Sequence, residues 1–309
     1  MKYGFECLVY DMPDNKVMVE NLAKEAGYGD DMLTRLHDNG LRTVPVNQSR
    51  PLDYLVNKAV GKLISRIPDL AERTYGIMLA HSLPILAPTC IPFLSLCIKG
   101  YKMDNKKRVA ITGQPCCILH KAVQTSICWL KDQPLGSGIL LIGADQAYSA
   151  EERIFFGSAM GDVAVAGFIT NNADRNIILS SVSETDIIAY EGEMSPREDI
   201  EKFRESNPMF IRHAIESALK EANLTLSEIK YIIPHTPYKM IWDVMSQLLR
   251  YPRSSILDKY IEDTGHLNSN DAFCHYVRAC DEKLIVPGDT VLLVNPGFGG
   301  TRGCTVIKA

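Results

Sequence analysis

The sequence predicts a duplicated α/β protein in which helices cover mixed sheets, and three observations carry that prediction. The first is Arg108 to Leu130, RVAITGQPCCILHKAVQTSICWL. Val109, Ala110 and Ile111 form a β-type run, Gly113, Gln114 and Pro115 break it, and Leu119, Val123, Ile127 and Leu130 then recur at helical spacing. The second is an internal echo: ERTYGIMLAHSLP (Glu72 to Pro84) and EIKYIIPHTPYK (Glu228 to Lys239) each read as a strand ending in histidine, a small polar residue and a nearby proline. The third is spacing. Cys116 follows His81 by 35 residues and His266 follows His235 by 31, each at a turn before a helix. Four elements repeated in one order point to duplication rather than chance.

Taken in order, Tyr3 to Tyr10 is apolar enough for a first strand, and Val17 to Ala26 and Asp31 to His37 read as short helices. Gly40-Leu41-Arg42 turns the chain into an extended segment. Leu52 to Ile67 is an amphipathic helix, with Leu52, Leu55, Ala59 and Leu63 on one face and Val56, Val60 and Ile64 beside them. Tyr75 to Ala80 is a buried strand, and Gly138 to Gly143 another. In the second half a helix is read around Phe210 to Ala222, a strand at Tyr231 to Pro234, a helix around Ala272 to Ala279 and a strand at Thr290 to Val294. The polar stretch ITNNADRN sets the boundary, giving halves 1–172, with the cysteine turn, and 173–309, with the histidine loops.

Composition bounds the function. The 309 residues are 46% hydrophobic with a net charge of −4, enough for a substantial core and without the basic surface that nucleic acid requires. The run Leu83 to Ile98 holds Pro84, Pro88 and Pro92, so it makes a poor membrane helix, and the N-terminus lacks the apolar core of a signal peptide. Nine cysteines without CxxC pairs read as reduced thiols in a cytoplasmic protein, with no metal site and no membrane or nucleic-acid partner.

Cys116 is the candidate nucleophile. A thiol at the start of a helix faces unsatisfied N–H groups and the positive end of the dipole, which favour thiolate; the alternative is a buried structural thiol. Cys117 reads as a small helix-start residue and His81 as structural. Asp162, after Gly161, reads as holding a turn. His37, His120, His213 and His275 carry no assigned role, and Trp242 reads as core.

Five segments in order resemble the thiolase superfamily, in its β-ketoacyl-ACP synthase III branch. GQPCCILHKAV matches the nucleophilic cysteine turn, with Cys116 in register. LLIGADQAYSAEERIFFGSAMGDVAVAGFI (Leu140 to Ile169) is similar to a strand, dimer-region loop and "GDGAAA" segment. IIPHTPYKMI resembles "PHQANxRI" and supplies His235, DTGHLNSNDA stands where "GNTSAAS" is found, and GDTVLLVNPGFGGTRG resembles the closing "GDxVLLxxFGGG" segment. The resemblance implies a thiolase-like fold of two duplicated halves in an α-β-α-β-α layering. It implies an acyl group carried from acyl-CoA or an acyl carrier protein onto Cys116, with no tightly bound cofactor, in a homodimer or in a heterodimer with a homologous chain. His235 is then an acid/base or donor residue, and the loop with Gly299 and Gly300 an oxyanion site.

Departures from the family refine this. Its asparagine aligns with His266, with Asn268 two residues on, and GH-x-x-x-x-D (Gly265 to Asp271) resembles relatives that pass the acyl group to oxygen or nitrogen. His266 is then a base oriented by Asp271, or a satisfied polar residue of an altered pocket, with Asn268 as the other candidate for the missing asparagine. The tryptophan that stacks on coenzyme A is absent before Gly40, where Thr34 or Met32 stands, and Ile118 replaces the glycine after the family's cysteine. Leu83 to Phe93 would line the acyl pocket at the dimer face. The implied function is acyl-thioester transfer or condensation in specialised-metabolite or fatty-acid-type biosynthesis. The alternative is a non-catalytic partner subunit of a ketosynthase heterodimer.

Overall fold

The computed structural model describes residues 1–309 except 48, 49, 84, 86–92, 156, 187 and 190. Most of the Leu83–Phe93 segment therefore lies outside the described residues. The main sheet has nine strands: β1 (Gly4–Asp11), β2 (Thr74–Ala80), β3 (Lys107–Ile111), β4 (Gly138–Asp145), β5 (Val163–Thr170), β6 (Ile177–Thr185), β7 (Tyr231–Pro234), β8 (Thr290–Gly297) and β9 (Thr301–Lys308). The helices that matter to the site are α1 (Leu52–Arg66), α2 (Ile118–Leu130), α3 (Arg197–Ala222), α4 (Met240–Leu249) and α5 (Asp271–Asp281).

Strand order runs β7-β8-β9-β6-β1-β5-β4-β2-β3. β1 to β5 alone read 3-2-4-5-1 from the far edge inward, with β2 parallel to both β3 and β4, and β5 antiparallel to β4 and β1. The other four repeat the 2-4-5-1 part with the same directions, and a parallel bridge from Ile232 to Ile256 stands where their third strand would be. The two sets meet at β1 and β6, whose paired register is Gly4 with Ile177.

Alternation along the strands sets the layers, because successive side chains point to opposite faces. Met78, Ile139, Leu141, Val163 and Val165 face inward with Ile233, Val291, Leu293 and Ile307, and between them lie Ile118, Leu119 and Val123 of α2 and Phe273 and Tyr276 of α5. Ile77, Leu79, Leu140, Ile142, Ala164 and Ala166 face the other way, against Leu55, Val56, Ala59, Val60 and Leu63 of α1. Val182, Leu292, Val294, Cys304 and Val306 face Ile211, Ala214, Ile215 and Ala218 of α3 and Trp242 of α4. This is the expected α-β-α-β-α layering, with α2 and α5 as its central layer.

The expected helix at Leu52 to Ile67 ends one residue earlier, and the Tyr231 to Pro234 strand is as expected. The helix read from Phe210 begins at Arg197, well before its apolar stripe, and carries Pro208 inside it. Residues 197–209 are mostly polar, with Phe203 the buried side chain among them, so hydrophobic spacing does not detect this part of the helix.

Candidate active site

The central pair of helices fixes the site, because each enters from a turn that carries a candidate residue. Cys116 sits between β3 and α2 with φ 61°. That left-handed backbone is strained for a residue with a Cβ, and it persists only where the surroundings hold it. Here Cys116 N–H donates to Ser82 Oγ at 3.2 Å, and Thr301 Oγ1 donates to the Pro115 carbonyl at 2.9 Å. Gly297 lies against the same turn: a Cβ there would stand 2.0 Å from the Pro115 carbonyl oxygen. Gly297→Ala is therefore expected to push the turn out of place and to cost about 1–3 kcal/mol, read as a shift in a denaturant titration.

Cys116 Sγ lies 3.7 Å from His266 Nε2, and His266 Nδ1 lies 2.7 Å from Asp271 Oδ2. His266 is 1% exposed and its backbone is tied on both sides, its N–H to the Ala159 carbonyl and its carbonyl to Gly161 N–H, each at 2.9 Å. Asp271 is saturated. It accepts from Leu267 N–H at 2.7 Å, Thr236 N–H at 3.0 Å and Thr236 Oγ1 at 3.2 Å besides the imidazole. Burial alone would push its carboxyl up, but the charge and hydrogen bond of His266 outweigh this and hold it far below the usual carboxylate range.

His235 closes the group from the end of β7. Its N–H donates to the Val294 carbonyl at 2.7 Å, and its carbonyl accepts from Trp242 Nε1 at 2.9 Å. Its ring stands edge-on to His266 with centroids 4.4 Å apart, and Nε2 is 3.9 Å from Asp271 Oδ2. Neither ring nitrogen has a hydrogen-bond partner among the described residues. Burial, reinforced by the neighbouring His266, pushes its pKa well below the ordinary histidine value, so the ring is neutral.

The thiol itself departs from expectation. Burial, with the nearby Cys117, Asp271 and Asp145, pushes Cys116 well above the ordinary thiol value, while a backbone hydrogen bond from Phe298 works the other way. Desolvation thus outweighs the helix start, and the resting group is a thiol that needs a proton acceptor. His266 Nε2 is placed to be that acceptor.

The ligand atoms of Cys116, His235 and His266 lie within 4.8 Å of one another, close enough to act on a single reacting carbon. The same spacing could admit a metal ion. The expectation of no metal site came from linear cysteine spacing, which does not detect a cluster assembled from three distant segments.

The remaining candidates separate cleanly. Asn268, at φ 54°, turns its amide to the Met160 sulfur at 3.5 Å, while His266 occupies the place beside the thiol. Gly299 and Gly300, at φ 76° and 78°, supply the bend of the closing loop, and the loop's backbone bond to the thiol belongs to Phe298. His81 bonds the Leu83 carbonyl through Nδ1 at 2.9 Å, and it is Ser82 that reaches Cys116. His120 and His275 are core residues, each lowered to about 4 by burial. Trp242 is fully buried in the cluster against α3. Sequence reasoning did not single out Ser82, Phe298 or Asp145. The GAD triplet ending β4 was the available signal for Asp145.

Asp162 holds a turn, as expected, and does so as half of a buried ion pair. It takes both Arg153 guanidinium nitrogens at 2.8 Å and the N–H groups of Asn47 and Ala147 at 2.7 and 3.1 Å. The segment it anchors carries Phe155, whose ring centroid lies 5.5 Å from that of His266. Asp162→Ala leaves the guanidinium buried and unpaired, so a loss of about 3–5 kcal/mol is expected in urea unfolding.

Residues 219–309 match the family model described as 3-oxoacyl-[acyl-carrier-protein (ACP)] synthase III C terminal. The β-ketoacyl-[acyl-carrier-protein] synthase III of Wolbachia pipientis subsp. Culex pipiens is 25% identical over 184 residues, covering 55% of this chain and 57% of that protein. That of Clostridium tetani is 31% identical over 142 residues, covering 45% and 40%. The chain spans about half the length of the curated relatives it matches. The solved structure of ChlB3, described as an acyltransferase, superposes with a TM-score of 0.88 at 18% identity, covering 100% of this chain and 98% of that one. The fold is therefore thiolase-like. The chain is similar in its C-terminal third to the β-ketoacyl-ACP synthase III family model and, along its whole length, to that family's fold. No helix of the described residues is long and apolar enough to cross a membrane.

Proposed function

We propose that the protein is an acyltransferase that takes an acyl group from a CoA or carrier-protein thioester onto Cys116 and passes it to an oxygen or nitrogen nucleophile. The observation that carries this is the line Cys116 Sγ, His266, Asp271, at 3.7 and 2.7 Å. In loading, His266 Nε2 takes the thiol proton, sulfur attacks the thioester carbon, and the donor thiolate leaves with that proton. In transfer, the same nitrogen takes the proton of an alcohol or amine, which attacks the acyl carbon, and the Cys116 sulfur leaves and is reprotonated. Asp271 holds the ring with Nε2 toward the sulfur and stabilises its charged form. The Phe298 N–H supports negative charge beside the sulfur, and neutral His235 offers a ring N–H to a carbonyl oxygen.

A second reading is supported by the two nitrogens of His235, unpartnered among the described residues, which suit stabilisation of an enolate formed when a malonyl thioester loses carbon dioxide. The mass of the intact protein after incubation with a panel of acyl-CoA and acyl-carrier thioesters tests the loading step. The loaded protein is then offered an amine, an alcohol or a malonyl thioester. Product without carbon dioxide supports heteroatom transfer, and release of carbon dioxide supports condensation. A folded protein that accepts no donor would instead fit a partner subunit of a ketosynthase heterodimer, which native mass spectrometry separates from a cytoplasmic homodimer.

A further inference from the structure

We propose that Asp145 is a positioning residue that clamps the Cys116 turn to the His266 loop. It ends β4 and is 1% exposed. Its Oδ1 accepts the N–H groups of Ser82 and Leu83 at 2.7 and 2.8 Å, and Ser82 Oγ in turn holds the Cys116 N–H. Its Oδ2 accepts Asn270 Nδ2 at 3.1 Å and lies 3.4 Å from Ser269 Oγ. Asn270 immediately precedes Asp271. One carboxylate therefore reaches the nucleophile through one intervening residue and the imidazole's anchor through another.

The strand end is shaped for this. A Cβ on Gly143 would stand 2.2 Å from Asn270 Oδ1, so the absence of a side chain there makes room for the histidine loop. Gly297, the last residue of the equivalent strand β8, makes the same room for Pro115 of the cysteine turn. Each half thus receives the catalytic turn of the other on its fourth strand. Asp145 adds polar bonds to that contact in the first half only. Its charge opposes the thiolate, and its burial pushes the carboxyl up to about 7, with Asp271 adding to the rise. A group that hinders ionisation of the nucleophile and costs solvation is accounted for by what it holds in place.

The inference rests on the acyl-transfer reading, and its test separates the two. Asp145→Asn keeps an oxygen for the Ser82 and Leu83 N–H groups but sets an amide donor against the donor of Asn270. Acyl loading on Cys116 is expected to fall about tenfold or more, since second-shell and sub-ångström displacements have effects of that size. Alkylation of Cys116 by iodoacetamide is expected to shift to lower pH in the same variant, because a negative charge near the thiol is gone. The exchanged pair, Asp145→Asn with Asn270→Asp, restores a donor facing an acceptor and is expected to recover most of the loading rate. The acid shift follows from the lost charge in either case; a merely structural role predicts a lower melting temperature and no recovery of loading in the exchanged pair. Wild-type loading in Asp145→Asn overturns the proposal. If the wild type takes no acyl group, the transfer reading fails alone. The clamp then stands or falls on whether His266→Ala slows alkylation in the wild type but not in Asp145→Asn.

Discussion

Cys116→Ala is expected to abolish the covalent acyl adduct, with a fall in transfer of at least about 10³-fold, and to leave the fold intact. Loss of a nucleophile removes the two-step route, and what remains is the catalysis supplied by binding and oxyanion donors. Alanine adopts φ 61° no more readily than cysteine, so the strain at the turn is unchanged and the variant reports chemistry. The adjacent thiol cannot substitute. Cys117 is fully buried, turns its sulfur to the Gln114 carbonyl 3.9 Å away, and is pushed up to about 11 by burial. Intact mass after incubation with donor thioesters, with circular dichroism as the control for folding, reads the result. Loading that survives in Cys116→Ala and disappears in Cys117→Ala would move the nucleophile to the second cysteine.

How much of this was legible in the sequence depends on whether the governing contacts are local. The strand-turn-helix at Cys116 and the histidine ending β7 were legible because apolar periodicity and turn residues lie within a dozen positions of one another. The internal echo was legible for the same reason, repeated twice, and the repeated strand order agrees with it. His266 and its pairing with Asp271 were read from the resemblance of DTGHLNSNDA and its GH-x-x-x-x-D pattern to family segments, and the structure sets the two side chains 2.7 Å apart. The charge state of Cys116 was not legible. The helix start is a local feature that favours thiolate, whereas the burial that outweighs it is imposed by segments far along the chain. Asp145 was hidden for a related reason. Its partners Ser82 and Asn270 lie 63 and 125 residues away, and no linear pattern marks a carboxylate that serves two loops at once. Phe298 acts through its backbone, which leaves no signature in the side-chain sequence.

His266→Ala is expected to slow both loading and transfer by about 10²–10⁴-fold, the usual contribution of a positioned base. The effect is large here because the thiol is pushed up by burial, so a smaller share of thiolate forms without an acceptor. Asp271→Asn is expected to act in the same direction. The carboxylate that fixes Nδ1 is replaced by a neutral amide, and His266 loses the charge that stabilises its protonated form. Because Asp271 is held far below the usual carboxylate range, it stays ionised as the pH falls through the neutral and mildly acidic region. Any decline in wild-type loading across that range therefore does not report loss of the Asp271 carboxylate. His266→Asn discriminates between roles. Asparagine keeps a hydrogen-bond donor at that place but supplies no comparable proton acceptor, so heteroatom transfer is expected to fall as far as it does with alanine. Transfer that survives with asparagine and not with alanine would make His266 a donor. The second substrate would then be one that needs its oxygen stabilised rather than its proton removed, which is the condensing chemistry.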